Sequence, residues 1–507
     1  MSDIDFDEGD DDFLYDESGE DYLDESGEDY LDELDFTEII QEKQERKKYE
    51  VEYKVYSIEE IEDFQNKEIE HVANIIGCFK EHAATLLRHF KWNKERLIEL
   101  YMDRTEEVTK EAGVIVDAQK LPKLIKVEDF CCDICCDSGD DIESLALSCG
   151  HRFCKDCYSQ YLTQKIKVEG ECRNIQCPSD ACNIIVDENT IKMLVSEDTY
   201  HRYTSLLIRT YVDDNIFLHW CPAPNCEYAV ECKIHDSDLQ RLVPTVKCKC
   251  GHQFCFGCGL PDHQPCICSL VAKWLNKCRD DSETANWISV NTKECPKCKA
   301  SIEKNGGCNH MTCKKCKNEF CWVCMGPWSE HGNQWYTCNR FEEKTSVDAR
   351  DSQSRSRAKL ERYLHYYNRY ANHEQSAKLD TELYEKTERK MERMQKSSEL
   401  SWIEVQFLKE AVETVVQCRN TLKWTYSFAF YLQKDNQTTL FEDNQRDLEM
   451  AVEQLSELLE EEIKPNRIAE LKQRVVDKSI YVKHRREILL EDTAQGLKES
   501  RWVFIDP

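Results

Sequence analysis

Residues 294–324 read ECPKCKASIEKNGGCNHMTCKKCKNEFCWVC, in which three cysteine pairs with the spacing C-x-x-C accompany a seventh cysteine, Cys308. A C-x-x-C turn supplies two ligands of a tetrahedral zinc site. With His331 and Cys338, which follow, the pairs provide eight ligands, enough for two zinc ions. This segment therefore predicts a small module that two metal sites stabilise. The pairs are Cys295 and Cys298, Cys313 and Cys316, and Cys321 and Cys324.

Cys308 is the cysteine that these two sites do not need. It lies in the loop between the first two pairs, after two glycines and before Asn309 and His310. A thiol left over among so many ligands is a candidate nucleophile, because a free thiolate is reactive whereas a metal-bound one is occupied. The competing interpretations are an unreactive surface thiol and an alternative zinc ligand.

The same chemistry extends over the preceding part of the chain, since residues 131–338 hold 28 of the 30 cysteines. The first residues are acidic and carry no apolar core, so we expect no secretory signal, and no apolar stretch is long enough to cross a bilayer. A reducing compartment is then expected. In such a compartment C-x-x-C pairs indicate zinc ligands rather than disulfides.

The first cluster has the ligand order of the C3HC4 series and resembles a RING domain. That resemblance implies interleaved sites, with Cys132, Cys135, Cys154 and Cys157 on one ion and Cys149, His151, Cys177 and Cys182 on the other. The segment CCDICC (131–136) offers two registers, and the one with Ile134 between its cysteines matches the RING pattern. Cys131, Cys136 and Cys172 are then left over.

The second cluster resembles an in-between-RING domain, in which consecutive groups of four ligands bind one ion each. The resemblance implies Cys221, Cys226, Cys248 and Cys250 for one ion and Cys255, Cys258, His263 and Cys268 for the other. His252 competes with His263, because CGHQFCFGC (250–258) repeats the pattern of CGHRFCKDC (149–157). Cys266 competes with Cys268 for the last position.

The three modules in this order resemble the RBR family of E3 ubiquitin ligases. The motifs DDSETANWI, GGCNHM, EFCWVCMGPW, RSRAKLERYLHYYNRY and SWIEVQFLK are similar to the Ariadne subfamily, and the likeness runs from about residue 48 to 507. The resemblance implies that Cys308 accepts ubiquitin from a conjugating enzyme as a thioester and then passes it to a substrate amine. His310 would act as the base and Glu319 would orient it. Gly306 and Gly307 would permit backbone conformations and a close approach that side chains would block.

The same resemblance implies the cofactor and the partners. Six zinc ions are expected, and the first RING would recruit the conjugating enzyme, with Ile134 as its candidate contact unless that side chain is buried. Asn183 follows the last RING ligand where ordinary RING ligases place Arg or Lys, which favours transfer through Cys308. The Ariadne domain would cover Cys308 until a neddylated cullin-RING ligase, recognised near the N-terminus, releases it. The expected location is the cytoplasm, with the nucleus as a second compartment.

The expected fold class is multidomain: small zinc-stabilised α+β modules joined by helical linkers and flanked by all-α domains. Apolar residues at helical spacing predict three short helices over 48–112, which either bind ubiquitin-like proteins or serve as scaffold, with Asn93 capping the last helix. WTYSFAFYL (424–432) is predicted to be a buried helix rather than a strand. The predicted units are an acidic disordered tail (1–47), a UBA-like domain (48–112), the first RING (128–183), a helical linker (184–215), the in-between-RING domain (216–269), a second linker (270–292), a second RING-like catalytic domain (293–339) and an autoinhibitory Ariadne helical domain (340–507).

The charge of the chain bears on its partners. Residues 1–35 contain 18 acidic residues and no Lys or Arg, which is more than half of the net charge of −31. This tail repeats DESGEDYL, and it is predicted to be disordered, to attract a basic partner or to be phosphorylated at Ser18 and Ser26. Lack of a basic excess disfavours a zinc-dependent nucleic-acid binder. The main alternative is a RING-type scaffold ligase in which Cys308 takes no part.

Overall fold

The computed structural model describes residues 47–114, 122–280, 292–304, 306–331, 338–341, 352–397, 402–461 and 467–505. The predicted tail with Ser18 and Ser26, and part of the second linker, lie outside these residues. The strands are β1 (Tyr53–Tyr56), β2 (Ile125–Lys126), β3 (Glu143–Ala146), β4 (Arg152–Cys154), β5 (Leu218–Trp220), β6 (Ala229–Cys232), β7 (Thr245–Lys247), β8 (Gln253–Cys255), β9 (Thr292–Glu294), β10 (Ser301–Glu303), β11 (His310–Thr312) and β12 (Glu319–Cys321). The helices are α1 (Ile58–Ile76), α2 (Lys80–His89), α3 (Lys94–Asp103), α4 (Thr105–Glu111), α5 (Lys155–Thr163), α6 (Glu188–Leu194), α7 (Glu197–Asp214), α8 (Cys268–Asp280), α9 (Ser352–Ser397), α10 (Trp402–Tyr431), α11 (Asn436–Glu460) and α12 (Ile468–Lys498).

The N-terminal helical domain has four helices where three were predicted. Helix α4 has seven residues and its one buried apolar side chain is Val108, so it carries no repeating stripe that a periodicity search could detect. The Asn93 cap is confirmed, because its side chain accepts a hydrogen bond from the Arg96 amide at 3.0 Å. Strand β1 was not predicted at all; it pairs with β6 and so joins the N-terminal segment to the sheet β1-β6-β5.

Besides helix α5 and the sheet β1-β6-β5, the zinc-type modules contain short antiparallel ribbons. These are the three-stranded sheet β2-β3-β4 and the two-stranded pairs β7-β8, β9-β10 and β11-β12. Strands β4, β8 and β12 each end at a cysteine, Cys154, Cys255 and Cys321 respectively. Ribbons of this size bury little apolar surface, so such modules need metal ions to be stable.

Helices α9 to α12 form the C-terminal helical domain, and this confirms the predicted fold class. Tyr426, Phe428 and Phe430 are buried on α10, as expected for a helix over 424–432. Helix α8 inserts Trp274 into the same core, 5.2 Å from Phe430 between ring centroids. Among the described residues, no helix has the length and apolar character that crossing a membrane requires.

Helix α11 buries three of its charged residues, although an amphipathic helix normally turns such residues towards water. Glu442, Glu449 and Glu453 are buried, because each meets a polar or basic partner from another segment. Glu449 accepts from the Tyr426 hydroxyl at 2.8 Å, and Glu453 accepts from Arg419 at 3.0 Å. An acidic residue inside a helical core needs such partners, so the usual inside-outside pattern does not apply here.

Candidate zinc sites and active site

Among the residues that the structure describes, six groups of possible ligand side chains have donor atoms close enough together to hold a metal ion. In each group these atoms lie within 4.8 Å of one another. Five groups are Cys132, Cys135, Cys154 and Cys157; Cys149, His151, Cys177 and Cys182; Cys221, Cys226, Cys248 and Cys250; Cys255, Cys258, His263 and Cys268; and Cys295, Cys298, Cys313 and Cys316. A further cluster joins Cys324 to His331, 3.3 Å from Sγ to Nε2, with the thiols of Cys321 and Cys338 beside them.

The donor sets and distances fit zinc. Each group consists of thiols with at most one imidazole, the ligands that structural zinc prefers. The Sγ atoms of Cys135 and Cys154 are 3.8 Å apart, and those of Cys295 and Cys316 are 3.7 Å apart. A tetrahedral ion with Zn–S bonds of about 2.3 Å would separate its sulfurs by roughly 3.8 Å. This chain is therefore a zinc-binding protein.

The competing ligands lie elsewhere. His252 stacks on Phe254, with ring centroids 6.0 Å apart, and the buried Cys266 thiol lies 3.6 Å from the Ser427 hydroxyl. Cys131 and Cys136 are exposed beside the first group, and Cys172 is buried. The structure thus brings together the ligand sets that the RING and in-between-RING resemblances imply. The competing or left-over residues do not belong to the groups named above: His252, Cys266, Cys131, Cys136 and Cys172.

Replacing Cys268 with serine is expected to lower the zinc content of the purified chain by one ion, because it removes a ligand from a four-residue group. Replacing Cys266 with serine should leave the content unchanged, since its thiol contacts Ser427 of the helical domain instead. The two cysteines are matched controls for each other. Plasma mass spectrometry measures the zinc content per chain. Loss of an ion from Cys266→Ser but not from Cys268→Ser would contradict the assignment.

Cys308 lies in the loop between β10 and β11 and is only 5% exposed. Its amide donates to Glu460 Oε1 at 3.4 Å, and its Sγ is 3.9 Å from the Glu453 carbonyl oxygen, both on α11. The amide of His310 donates to the Cys308 Sγ at 3.4 Å. Burial, with the Glu453 carboxylate nearby, raises the pKa of the Cys308 thiol well above its ordinary value. In this arrangement the thiol is both covered and protonated at neutral pH.

Glu453 is the centre of the contact between α11 and the loop. Its carboxylate accepts from the Asn309 amide at 2.6 Å, from Asn309 Nδ2 at 2.7 Å and from Arg419 Nη1 at 3.0 Å. Arg419 also donates from Nε to Asp380 Oδ2 at 2.5 Å. Burial alone would raise the pKa of the Glu453 carboxyl, but the charges of Arg419 and Lys304 hold it below its ordinary value. Glu453 is therefore an ionised acceptor.

Lys304 holds the same loop through hydrogen bonds to the loop itself and to α9. Its buried ammonium donates to Gly307 O at 3.1 Å, Asn309 Oδ1 at 3.0 Å, Asn372 Oδ1 at 3.3 Å and Ser376 Oγ at 2.7 Å. Burial, aided by the charge of Arg419, lowers the pKa of Lys304 to about 8. Because this pKa lies above 7, the Lys304 ammonium is still mostly charged at pH 7. Its hydrogen bonds to the loop and to α9 are therefore charge-assisted.

The two glycines before Cys308 are needed for close packing. A Cβ at Gly306 would lie 2.2 Å from Glu460 Oε1, and one at Gly307 would lie 2.0 Å from Asp380 Oδ1. Neither glycine has the left-handed backbone that favours this residue. In this structure the glycines therefore serve the contact with α9 and α11, and special backbone conformations are not the reason for them.

His310 and Glu319 lie beside Cys308 on the ribbon β11-β12. The imidazole stacks on Trp328, with ring centroids 4.4 Å apart and planes 6° from parallel. Its Nε2 is 3.5 Å from Glu319 Oε2, and its Nδ1 is 3.5 Å from Glu457 Oε1 of α11. The three residues predicted to be catalytic are thus neighbours, with one imidazole nitrogen facing the helical domain.

Sequence reasoning missed the residues that cover Cys308. Lys304, Asp380, Arg419 and Glu453 come from four segments, three of them far along the chain. The available signal was the spacing of acidic residues within the apolar stripe of α11. Glu442, Glu449 and Glu453 are seven and four residues apart, which places them on one helix face.

Comparison with known proteins gives the family. Residues 63–103 match the UBA-like domain of E3 ubiquitin-protein ligase ARIH1, 132–179 a C3HC4-type RING finger, 201–268 and 290–339 two IBR-domain families, and 361–485 the Ariadne domain. E3 ubiquitin-protein ligase ariadne-1 of Drosophila melanogaster is 46% identical over 462 residues, 90% of each chain. The chain belongs to the Ariadne family of E3 ubiquitin-protein ligases.

Other relatives of this Ariadne ligase support the same assignment. E3 ubiquitin-protein ligase dbl4 of Schizosaccharomyces pombe is 56% identical over 473 residues, which are 93% of each chain. Human E3 ubiquitin-protein ligase ARIH1 is 45% identical over 463 residues, 90% of this chain and 82% of the relative. The predicted likeness to the RBR ligases and to their Ariadne subfamily is confirmed, and the enzyme is a ubiquitin transferase that works with ubiquitin and a conjugating enzyme.

Proposed function

We propose that this Ariadne ligase carries ubiquitin on Cys308 as a thioester and that its C-terminal helical domain keeps this thiol inactive until a partner binds. One observation carries the proposal: Cys308 belongs to none of the metal-type groups named above and lies, 5% exposed, beneath two glutamates of α11. A buried thiol without a ligand role, next to an imidazole and a carboxylate, matches the expected nucleophile, base and orienting residue.

The chemistry needs two acyl transfers. The Cys308 thiolate attacks the thioester carbonyl on the conjugating enzyme, whose cysteine thiolate leaves, and this exchange is nearly neutral in free energy because one thioester replaces another. A substrate amine then attacks the new thioester, the Cys308 thiolate leaves, and an amide forms. His310 takes the proton that the amine loses, and Glu319, 3.5 Å from its Nε2, stabilises the resulting imidazolium.

Glu453 and Glu460, the residues of α11 that lie against Cys308, form a cover over the thiol. This cover blocks the first transfer in two ways. Helix α11 occupies the space that an incoming thioester needs, and burial keeps the thiol protonated, so few thiolates form near pH 7. Movement of α11 away from the loop would expose Cys308 and return its pKa towards the ordinary range. Opening the domain therefore provides both access and a more reactive sulfur.

The direct test is to mix a ubiquitin-charged conjugating enzyme with the full chain or with a fragment ending at residue 341. The fragment should form a ubiquitin adduct that reducing agent removes, and the full chain should form far less of it. A conjugating enzyme that discharges onto lysine without any such adduct on the fragment would support the RING-type scaffold alternative and overturn the proposal.

Replacing His310 with alanine is expected to leave the adduct intact while slowing its discharge onto lysine by about 10²-fold, the usual contribution of a general base. The discharge rate of the His310→Ala chain should recover in part as the pH rises, because more of the attacking amine is then deprotonated. Single-turnover discharge of preformed adduct measures this step alone. Equal rates for wild type and His310→Ala would show that His310 is not the base. Ser301→Ala, an exposed residue on β10 of the same module, is the control.

The partners follow from exposed surfaces. Ile134, the candidate contact for the conjugating enzyme, is 48% exposed, as a contact residue must be. In the N-terminal domain Ile75, near the end of α1, and Phe79, in the loop after it, are both exposed, and this pair of apolar side chains supports recognition of a ubiquitin-like modifier there. We propose that neddylated cullin-RING ligases open the enzyme through this domain. Unchanged adduct formation by the full chain on adding neddylated cullin complexes would count against a cullin partner while leaving the thioester step untouched.

A further inference from the structure

The last zinc-type cluster of the catalytic module is in contact with the helical domain through a buried arginine. Arg369 of α9 is 8% exposed and donates from Nε to the Cys338 carbonyl oxygen at 2.9 Å. Its Nη2 donates to the same oxygen and lies 3.8 Å from the Cys338 Sγ. Its Nη1 donates to the His365 carbonyl oxygen at 2.9 Å, so the whole guanidinium fork is engaged.

The segment that follows Cys338 is also held by helices rather than by the module itself. His365 Nε2 of α9 is 3.1 Å from the Asn339 carbonyl oxygen. Asn339 Nδ2 donates to the Glu442 carbonyl oxygen of α11 at 2.7 Å, and Arg340 pairs with Asp443 at 2.5 Å. The position of this cysteine is thus set by contacts across the interface between the two domains.

Charge gives Arg369 a second role. A zinc ion with three thiolates and one neutral imidazole carries a net charge of about −1, because the thiolates outnumber the charge on the metal. A buried site with that charge is stabilised by a cation close to a thiolate. Arg369 places such a cation beside Cys338, and its planar fork holds the cysteine backbone at the same time.

We propose that Arg369 is a positioning and charge-balancing residue for zinc at Cys321, Cys324, His331 and Cys338. The C-terminal helical domain then helps to retain the metal of the catalytic module, in addition to covering Cys308. This role depends on zinc binding and not on the thioester step, so it stands or falls separately from the proposed function.

The test is the rate at which the zinc-loaded full chain releases metal to a chromogenic chelator. Replacing Arg369 with glutamine should accelerate release of one ion by about 10- to 100-fold, the usual effect of losing an outer-sphere partner. Arg369→Lys, which retains the charge but not the fork, should give an intermediate rate. Alkylation of the freed thiols followed by peptide mass spectrometry should find Cys321, Cys324 and Cys338 labelled first.

Arg362→Gln is the matched control. Arg362 is another buried arginine of α9, and it donates to the carbonyl oxygens of Phe430 and Leu432 within the helical domain. If the Arg362 variant released the same ion equally fast, general loosening of the domain would explain the effect and the proposal would fail. Release from both Arg369 variants at the wild-type rate, or uniform acceleration of all the ions, would also overturn it.

Discussion

A chain in which Cys308 is replaced by alanine is expected to form no ubiquitin adduct and to lose at least about 10³-fold of its ligase activity, because the nucleophile of both transfers is gone. Replacement by serine should instead trap ubiquitin as an oxygen ester, which reducing agent does not cleave. Adduct formation should be measured with a ubiquitin-charged conjugating enzyme and with variants whose Cys308 loop is exposed. In the closed chain, low reactivity of the wild-type thiol would mask the effect of the substitution.

Cys418 provides the control for this substitution. It is a buried, free thiol on α10 that belongs to the hydrophobic core of the helical domain. Cys418→Ala should therefore form the adduct at the rate of its parent. If Cys308→Ala and Cys418→Ala were equally active, Cys308 would not be the acceptor, and the conjugating enzyme would have to act directly on substrate.

Replacing Glu453 with alanine is expected to raise the rate of ubiquitin transfer to Cys308 in the full chain by on the order of 10²-fold. The substitution removes both hydrogen bonds to Asn309 and one from Arg419, and hydrogen bonds to a charged group contribute about 1.5–3 kcal/mol each. A net shift of about 3 kcal/mol towards the open state accounts for that factor. The alkylation rate of Cys308 should rise as well, because exposure lowers the pKa of its thiol.

Asp447 is the matched control on the same helix. It is also acidic, and its carboxylate pairs with Arg446 of α11 and with Arg485 of α12. Asp447→Ala should thus leave charging at the wild-type rate. Stimulation by Asp447→Ala, or none by Glu453→Ala, would show that contacts of α11 with the Cys308 loop do not limit the reaction.

The metal groups could be predicted from the sequence because their geometry is local. A C-x-x-C turn places two sulfurs together whatever the rest of the chain does, and the order of the pairs then restricts how turns can combine. The same logic separated Cys308 from the ligands by subtraction. Prediction failed for α4, which is too short to show a stripe, and for β1, whose partner β6 lies more than 170 residues away.

The family resemblance implied that the helical domain covers Cys308, but the residues that form this cover could not be predicted because they depend on tertiary partners. A glutamate in an amphipathic helix normally faces water, and Glu453 breaks that rule only because Arg419 and the Asn309 amide meet it in the folded chain. The two glycines before Cys308 indicated that another segment packs closely against the loop, but the sequence alone does not identify that segment. Here the segments are α9 and α11.

The most direct measurement is peptide mass spectrometry of the Glu453→Ala chain after brief exposure to a ubiquitin-charged conjugating enzyme, without reducing agent. We expect ubiquitin to be joined through its carboxyl terminus to the peptide that contains Cys308, in a bond that reducing agent breaks, with far less of it in the wild-type chain. Ubiquitin found only on lysines or on another cysteine would contradict transfer through a covered Cys308, as would equal amounts on Cys308 in both chains.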